Sequence, residues 1–330
     1  MPQSSFAYAV ARVRSLEKGL IGRDRLHRLT EGSLDDAVRV LVEAGYGDMP
    51  DATAADCENM IGKELEKAAV LLQEISPEPT VTDLFLMKAD IHNLKVLLKA
   101  RLLDNTEEPV LLAGGIFPKD KLVLAVRDRR YLDLPPVLKD AVNALEKELQ
   151  TKEDPQQISI ALDGAYIAHA QETLKKYPGS FAAKYFHALA DFNNILAMLR
   201  IRSMGAQKDA LERALLPTGH LTRGVLLGAF DQPFESMTKM IATGPAGAAI
   251  AAGMEAVAQT GQNSAMEKAR DNYLMQLIKK GKYDAMTLQP VLGYYLAREQ
   301  EAKCIRLILT AKRNSLDEQV IAERLREVYG

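Results

Sequence analysis

Asp90-Ile-His-Asn93-Leu-Lys-Val-Leu-Leu-Lys-Ala-Arg101 recurs twice along the chain. The later copies are Asp191-Phe-Asn-Asn194-Ile-Leu-Ala-Met-Leu-Arg-Ile-Arg202 and Glu301-Ala-Lys-Cys304-Ile-Arg-Leu-Ile-Leu-Thr-Ala-Lys312. Counting the first residue as zero, each copy carries an acid at 0, Asn or Cys at +3, and Leu or Ile at +4. Apolar residues follow at +7 and +8, and a base at +11. These offsets share one face of a helix of 3.6 residues per turn. An aromatic precedes each acid by five or six residues: Phe85, Tyr185 with Phe186, and Tyr295. Acid and base stand about 16 Å apart along the axis at 1.5 Å per residue, too far to pair with each other. Each must find its partner at a helix end or on another helix.

A second marker keeps step with the first. Gly19, Gly115 and Gly219 each precede a leucine by seven residues (Leu26, Leu122, Leu226), and Leu29, Ala125 and Ala229 follow three residues on. Two markers recurring in the same order about every hundred residues point to one small helical design used three times, since the period is too long for a 20–50-residue solenoid repeat. The expected organisation is all-α, with homologous helical domains at 1–108, 109–213 and 214–330. Three such domains could close into a pseudo-threefold funnel; a linear array is the alternative.

Composition agrees. The 330 residues are rich in Leu and Ala, both strong helix formers, and only 6% are aromatic. No stretch alternates in the manner of a strand. Ser33-Leu-Asp-Asp36 reads as a helix start, with the helix closing at Gly45, and Ser315-Leu-Asp-Glu318 as a capping box opening a last helix to about Val328. With 42 basic against 44 acidic residues, the chain has no global attraction to nucleic acid or to anionic membrane. No signal-peptide pattern opens the sequence. Its longest apolar run, 246–254, is far short of the roughly 20 residues a membrane span needs, so a soluble chain is expected. The two cysteines, Cys57 and Cys304, fit a reduced setting, although a disulfide between them stays open.

Motifs for catalysis or cofactor binding are missing. Gly244-Pro-Ala-Gly247 lacks the Lys and Ser/Thr of a phosphate loop and reads as close helix packing. His27, His92, His169, His187 and His220 are scattered without metal-ligand spacing, and neither cysteine has a histidine nearby in sequence. No cofactor is therefore expected. Asp90, Asn93, Arg101, Asp191, Asn194, Arg202, Glu301 and Lys312 read as a polar network that fixes helix register, not as an active site, because catalysis does not need three copies. Two basic clusters stand out: Arg12, Arg14, Lys18, Arg23, Arg25 and Arg28, then Lys119, Lys121, Arg127, Arg129 and Arg130. Each reads as a solvated helix face or as a docking surface.

Three stretches carry a family resemblance: Phe6-Ala-Tyr-Ala-Val-Ala-Arg-Val-Arg14, Asp90-Ile-His-Asn-Leu-Lys95 and Tyr294-Tyr-Leu-Ala-Arg-Glu-Gln-Glu-Ala-Lys-Cys-Ile-Arg306. They resemble the C subunit of the V/A-type ATP synthases, whose counterpart in the eukaryotic vacuolar ATPases is the d subunit, and the likeness spans nearly the whole chain. Cys304 departs from it, standing where Asn is expected. The resemblance implies a non-catalytic, cytoplasmic rotor part whose three helical domains form a funnel. It rests on the membrane proteolipid ring, receives the central shaft, and passes torque during ATP-coupled proton or sodium transport. Arg12, Arg14 and Arg25 are then candidate rotor-interface residues. A helical scaffold or adaptor unrelated to rotary ATPases, and an enzyme on a helical fold, are the other readings.

Overall fold

The computed structural model describes residues 5–47, 52–105, 107, 109–151 and 153–329, and among them there is no strand. In chain order the helices begin with α1 (Phe6–Leu16), α2 (Arg23–Thr30), α3 (Leu34–Glu43), α4 (Cys57–Ile75) and the long α5 (Pro79–Leu102). There follow α6 (Lys119–Arg127), α7 (Pro136–Leu149), α8 (Pro155–Leu174), the long α9 (Phe181–Ser203) and α10 (Lys208–Ala214). The rest are α11 (Arg223–Phe230), α12 (Phe234–Ile241), α13 (Gly247–Thr260), α14 (Ser264–Lys280), the long α15 (Gln289–Arg313) and α16 (Glu318–Arg324).

Local chemistry explains many of the ends. The Ser33 hydroxyl accepts from the Asp36 N–H while the Asp36 carboxylate accepts from the Ser33 N–H, a reciprocal cap at the start of α3. Ser180 caps α9 through the Ala183 N–H, and Asp154 caps α8 just ahead of Pro155, which sits where a missing N–H costs nothing. The α13 helix stops at Gly261, which is left-handed with φ 69°. A Cβ on Gly253 would lie 2.8 Å from the Ala269 Cβ, so α13 approaches α14 closely there, whereas Gly244 is left-handed with φ 70° and a Cβ on Gly247 would meet the Ala242 carbonyl oxygen at 2.8 Å, in the turn ahead of α13.

By contact the chain falls into two compact units, Met1–Asp83 with Met275–Gly330, and Leu84–Leu274. In the first, α15 packs against α1, α2, α3, α4 and α16. Most of its residues are buried, Arg298, Gln300 and Glu301 among them, as on a helix at the centre of a small body, and its Ile305 and Ile308 join Leu29, Leu41 and Ile61 in the core. In the second unit α8 lies between α7 and α9, and α11 lies between α9 and α12 over a core that includes Phe192, Met198, Leu226 and Met237. The aromatics upstream of the first two repeats meet there, with Phe85 centred 5.2 Å from both Tyr185 and Phe186.

One expectation fails. Ser315 does not cap the last helix; it is itself left-handed, with φ 53°, and α16 starts at Glu318 from Asp317 without a side-chain cap. The helix ends at Arg324, not near Val328, and 325–329 run on without helical structure while Val328 and Tyr329 stay buried.

Candidate functional site

The three repeat helices are α5, α9 and α15, and each grips a short helix at both of its ends. Asp90 is fully buried and accepts from the N–H groups of Ile116 (2.7 Å) and Phe117 (3.3 Å), in the turn leading into α6. Asp191, 2% exposed, accepts from Gly219, His220 and Leu221 at 2.9–3.1 Å, in the turn leading into α11. Glu301, 1% exposed, receives the Ile21 backbone N–H ahead of α2, together with the Tyr46 hydroxyl and the Arg298 guanidinium, each at 3.3 Å. Phe117, Leu221 and Ile21 each stand two residues beyond the repeated glycine. The two sequence markers are thus the two halves of one joint.

The base closes the other end. Arg101 donates to the Val126 carbonyl in the last turn of α6, and its other nitrogen holds Glu146 of α7 at 2.6 Å. Arg202 donates to the carbonyls of Phe230 and Gln232 at the end of α11. Lys312 donates to the carbonyls of Thr30, Glu31 and Gly32 at 2.7–2.9 Å, at the end of α2. Val126, Phe230 and Thr30 all lie eleven residues beyond the glycine, the same offset that separates base from acid. A carboxyl group thus faces the positive end of each short helix, and a positive group faces its negative end. That arrangement satisfies carbonyls the helix leaves unpaired and complements its dipole.

Position +3 does a third job. Asn93 holds Leu112, in the stretch between α5 and α6, by both backbone groups, donating to its carbonyl at 2.9 Å and accepting its N–H at 2.8 Å. Asn194 treats Leu216 in the same way, at 3.2 and 2.8 Å. Leu112 and Leu216 both precede the repeated glycine by three residues. Cys304 has no amide to offer; its Sγ lies 3.9 Å from the carbonyl of Arg326, in the segment that follows α16.

Electrostatics separates the copies. Burial pushes the Asp191 carboxyl above its ordinary range, and the backbone N–H groups pull it part of the way back. Burial raises Glu301 further, to about 8, against the opposing pull of Arg298 and the hydrogen bonds from Ile21 and Tyr46. The imidazoles of His187 and His220 meet edge to face at 5.2 Å beside Asp191. Among the described residues no group of three or more His, Cys, Asp and Glu is placed to hold a metal ion, and the buried Cys57 and Cys304 are not joined in a disulfide.

The candidate interface arginines lie apart from these joints. Arg12 and Arg25 are exposed on α1 and α2. Arg14 is turned inward: both Glu17 carboxylate oxygens lie 2.7–2.8 Å away, and its guanidinium sits 5.6 Å from the centre of the Tyr283 ring. In the second cluster, Lys119, Lys121 and Arg127 line the outer face of α6, where Val123 and Leu124 are also exposed. Sequence reading missed Tyr46, Arg298 and Glu146, because each is recruited by one copy alone. It could have found Leu112 and Leu216, which share a Leu-x-x-Gly spacing.

The family model for the ATP synthase (C/AC39) subunit matches residues 9–324 of the chain that carries these three joints. The chain belongs to that family. It is 22% identical to the C subunit of the V-type sodium ATPase of Enterococcus hirae, over 96% of this chain and 97% of the relative. It is 22% identical to the C subunit of the A-type ATP synthase of Pyrococcus furiosus and 23% identical to that of Methanosarcina mazei, over 98% of this chain and at least 90% of each relative. It therefore stands with the C subunits of the V/A-type ATPases, which are accessory rather than catalytic. Among the described residues no helix is long and apolar enough to cross a membrane.

Proposed function

We propose that this chain is the rotor coupler of a V/A-type ATPase, resting on the cytoplasmic side of the proteolipid ring and receiving the central shaft. In this reading its three homologous helical modules surround a common axis as a funnel. The observation that carries the proposal is the bracket repeated on α5, α9 and α15. Each long helix fixes a short one through a buried acid ahead of its start and a base at its end. Such joints resist shear between helices, because sliding by one residue would strand buried N–H and carbonyl groups, each costing about 1–3 kcal/mol. A part that transmits torque needs that stiffness. A likeness across nearly all of both chains to relatives named as the C subunits of such ATPases supports the same reading.

Arg12 and Arg25 are the cleaner interface candidates, since charge reversal there disturbs no ion pair among the described residues, whereas reversal at Arg14 would also break its contact with Glu17. Exposed charges steer and register a partner, and salt screens them. The test is co-purification from detergent-solubilised membranes. The wild-type chain should bring down both shaft and proteolipid ring, and Arg12→Glu with Arg25→Glu should release one of them at lower salt. Unchanged salt sensitivity would remove these arginines from the interface, and a wild-type chain that brings down neither partner would favour the adaptor reading.

A further inference from the structure

In the first two joints the +3 asparagine grips a residue outside the helices, and the same stretch then runs on through the glycine to the N–H groups that the acid accepts. From Leu112 to Ile116, and from Leu216 to Gly219, that path is continuous chain. At the third joint it is divided. The residue opposite position +3 is Arg326, whereas the N–H taken by Glu301 belongs to Ile21, some three hundred positions away in sequence. Segment 325–329 lies where the other joints have their own linker, held by side-chain contacts instead of by covalent continuity.

Those contacts form a built groove. The Glu327 carboxylate accepts from Lys279 at 2.9 Å and from Gln276 at 3.2 Å, and its backbone carbonyl accepts from Gln300 at 3.2 Å. The Tyr329 ring lies under Lys282, with the ammonium 4.5 Å from its centre, and packs beside Gly293, where an added Cβ would stand 3.3 Å from the phenol oxygen. Val328 and Tyr329 are 5% and 3% exposed. The groove therefore reads a non-helical segment by one acid, one carbonyl and an apolar–aromatic pair, the pattern of a peptide site in which main-chain bonds give affinity and pockets give choice.

We infer that the surface formed by α14, the turn that follows it and α15, bounded by Lys279, Lys282, Gly293, Gln300 and Cys304, is a peptide-binding site, filled in cis by segment 325–329 and able to release it. Release opens the third joint and leaves the two joints of the other unit closed. Neither step depends on the rotor reading.

The experiment begins with the intact, folded protein carrying a protease recognition sequence inserted after Arg324. After cleavage, the segment should leave on gel filtration, and hydrogen exchange should rise at least tenfold in α15 and around Ile21 but not in α9 or α11. A synthetic peptide of residues 325–330 should bind the cut protein saturably and restore protection, and Lys279→Ala should weaken that binding about tenfold. A segment that stays bound and does not exchange with added labelled peptide overturns the inference, as does its loss without any change in exchange. Should cutting unfold the protein, the uncut Lys279→Ala/Lys282→Ala variant decides. Faster exchange confined to 325–329 and the third joint supports the site, and unchanged exchange there refutes it.

Discussion

Asp191 takes three backbone N–H groups from one continuous loop, whereas Glu301 takes the N–H of Ile21 and shares itself with Tyr46 and Arg298. The extra methylene of Glu accounts for the difference in clearance. Short Asp requires the loop to press against the helix: a Cβ on Gly219 would stand 2.1 Å from the His187 carbonyl oxygen and 2.7 Å from the Asp191 carboxylate. Longer Glu reaches out to its loop, and a Cβ on Gly19 would find its nearest neighbour at 3.4 Å, the movable end of Arg298. The same joint is tight and glycine-dependent in one unit, loose and buttressed by extra side chains in the other.

The sharpest way to break that comparison is to add one methyl group to each joint. Gly219→Ala drives a Cβ into a backbone carbonyl that cannot move without distorting α9, and it should cost about 3 kcal/mol or more in urea unfolding. Gly19→Ala should cost less than about 1 kcal/mol. Equal losses would mean that the glycines are kept for backbone freedom and not for close approach.

The next test uses pH. Glu301 is pushed up to about 8 in the folded chain, against an ordinary value near 4.5, so between these values the folded state holds a proton that the unfolded state has released. Stability contributed by Glu301 is therefore complete below about pH 4.5 and is lost as pH rises through 8, with a slope of at most about 1.4 kcal/mol per pH unit. Glu301→Gln keeps the shape and cannot ionise. Its cost relative to wild type should be largest near pH 5 and should shrink steadily by about pH 8.5, as followed by denaturant midpoints across that range. A cost that does not vary with pH would mean that Arg298 keeps the carboxylate ionised throughout.

How far the sequence led depends on what each feature needs. The helices, the +3 and +11 spacing and the glycine marker were legible because periodicity and repetition record local geometry. Acid and base stand too far apart on one helix to pair, so each had to seek a helix end, and that is where the structure has them. The pairing of one marker with the other was not legible, since spacing along a chain says nothing about which segments meet. Leu16 shows the trap: it precedes Gly19 by three residues, as Leu112 and Leu216 precede theirs, yet it closes α1 and the role falls to Arg326. The end of α16 was misread because Ser315 supplies the right residue type for a cap while its backbone is left-handed.

The smallest effect concerns the base. Lys312 spreads one ammonium over three carbonyls at the end of α2, and Arg202 places one guanidinium nitrogen between two carbonyls at the end of α11. A cation at a helix C-terminus contributes about 0.3–1 kcal/mol when exposed and up to about 2 when partly buried. Lys312→Met keeps the apolar stem and removes the charge, so it should cost about 1 kcal/mol; Arg202→Met, which also leaves planar donors unreplaced, should cost somewhat more. The informative readout is hydrogen exchange, because loss of the clamp should fray the last turn of α2 in one variant and of α11 in the other while the opposite short helix keeps its protection. Fraying of both short helices in either variant would mean that the joints do not act independently, and that the loose and tight copies belong to one cooperative whole.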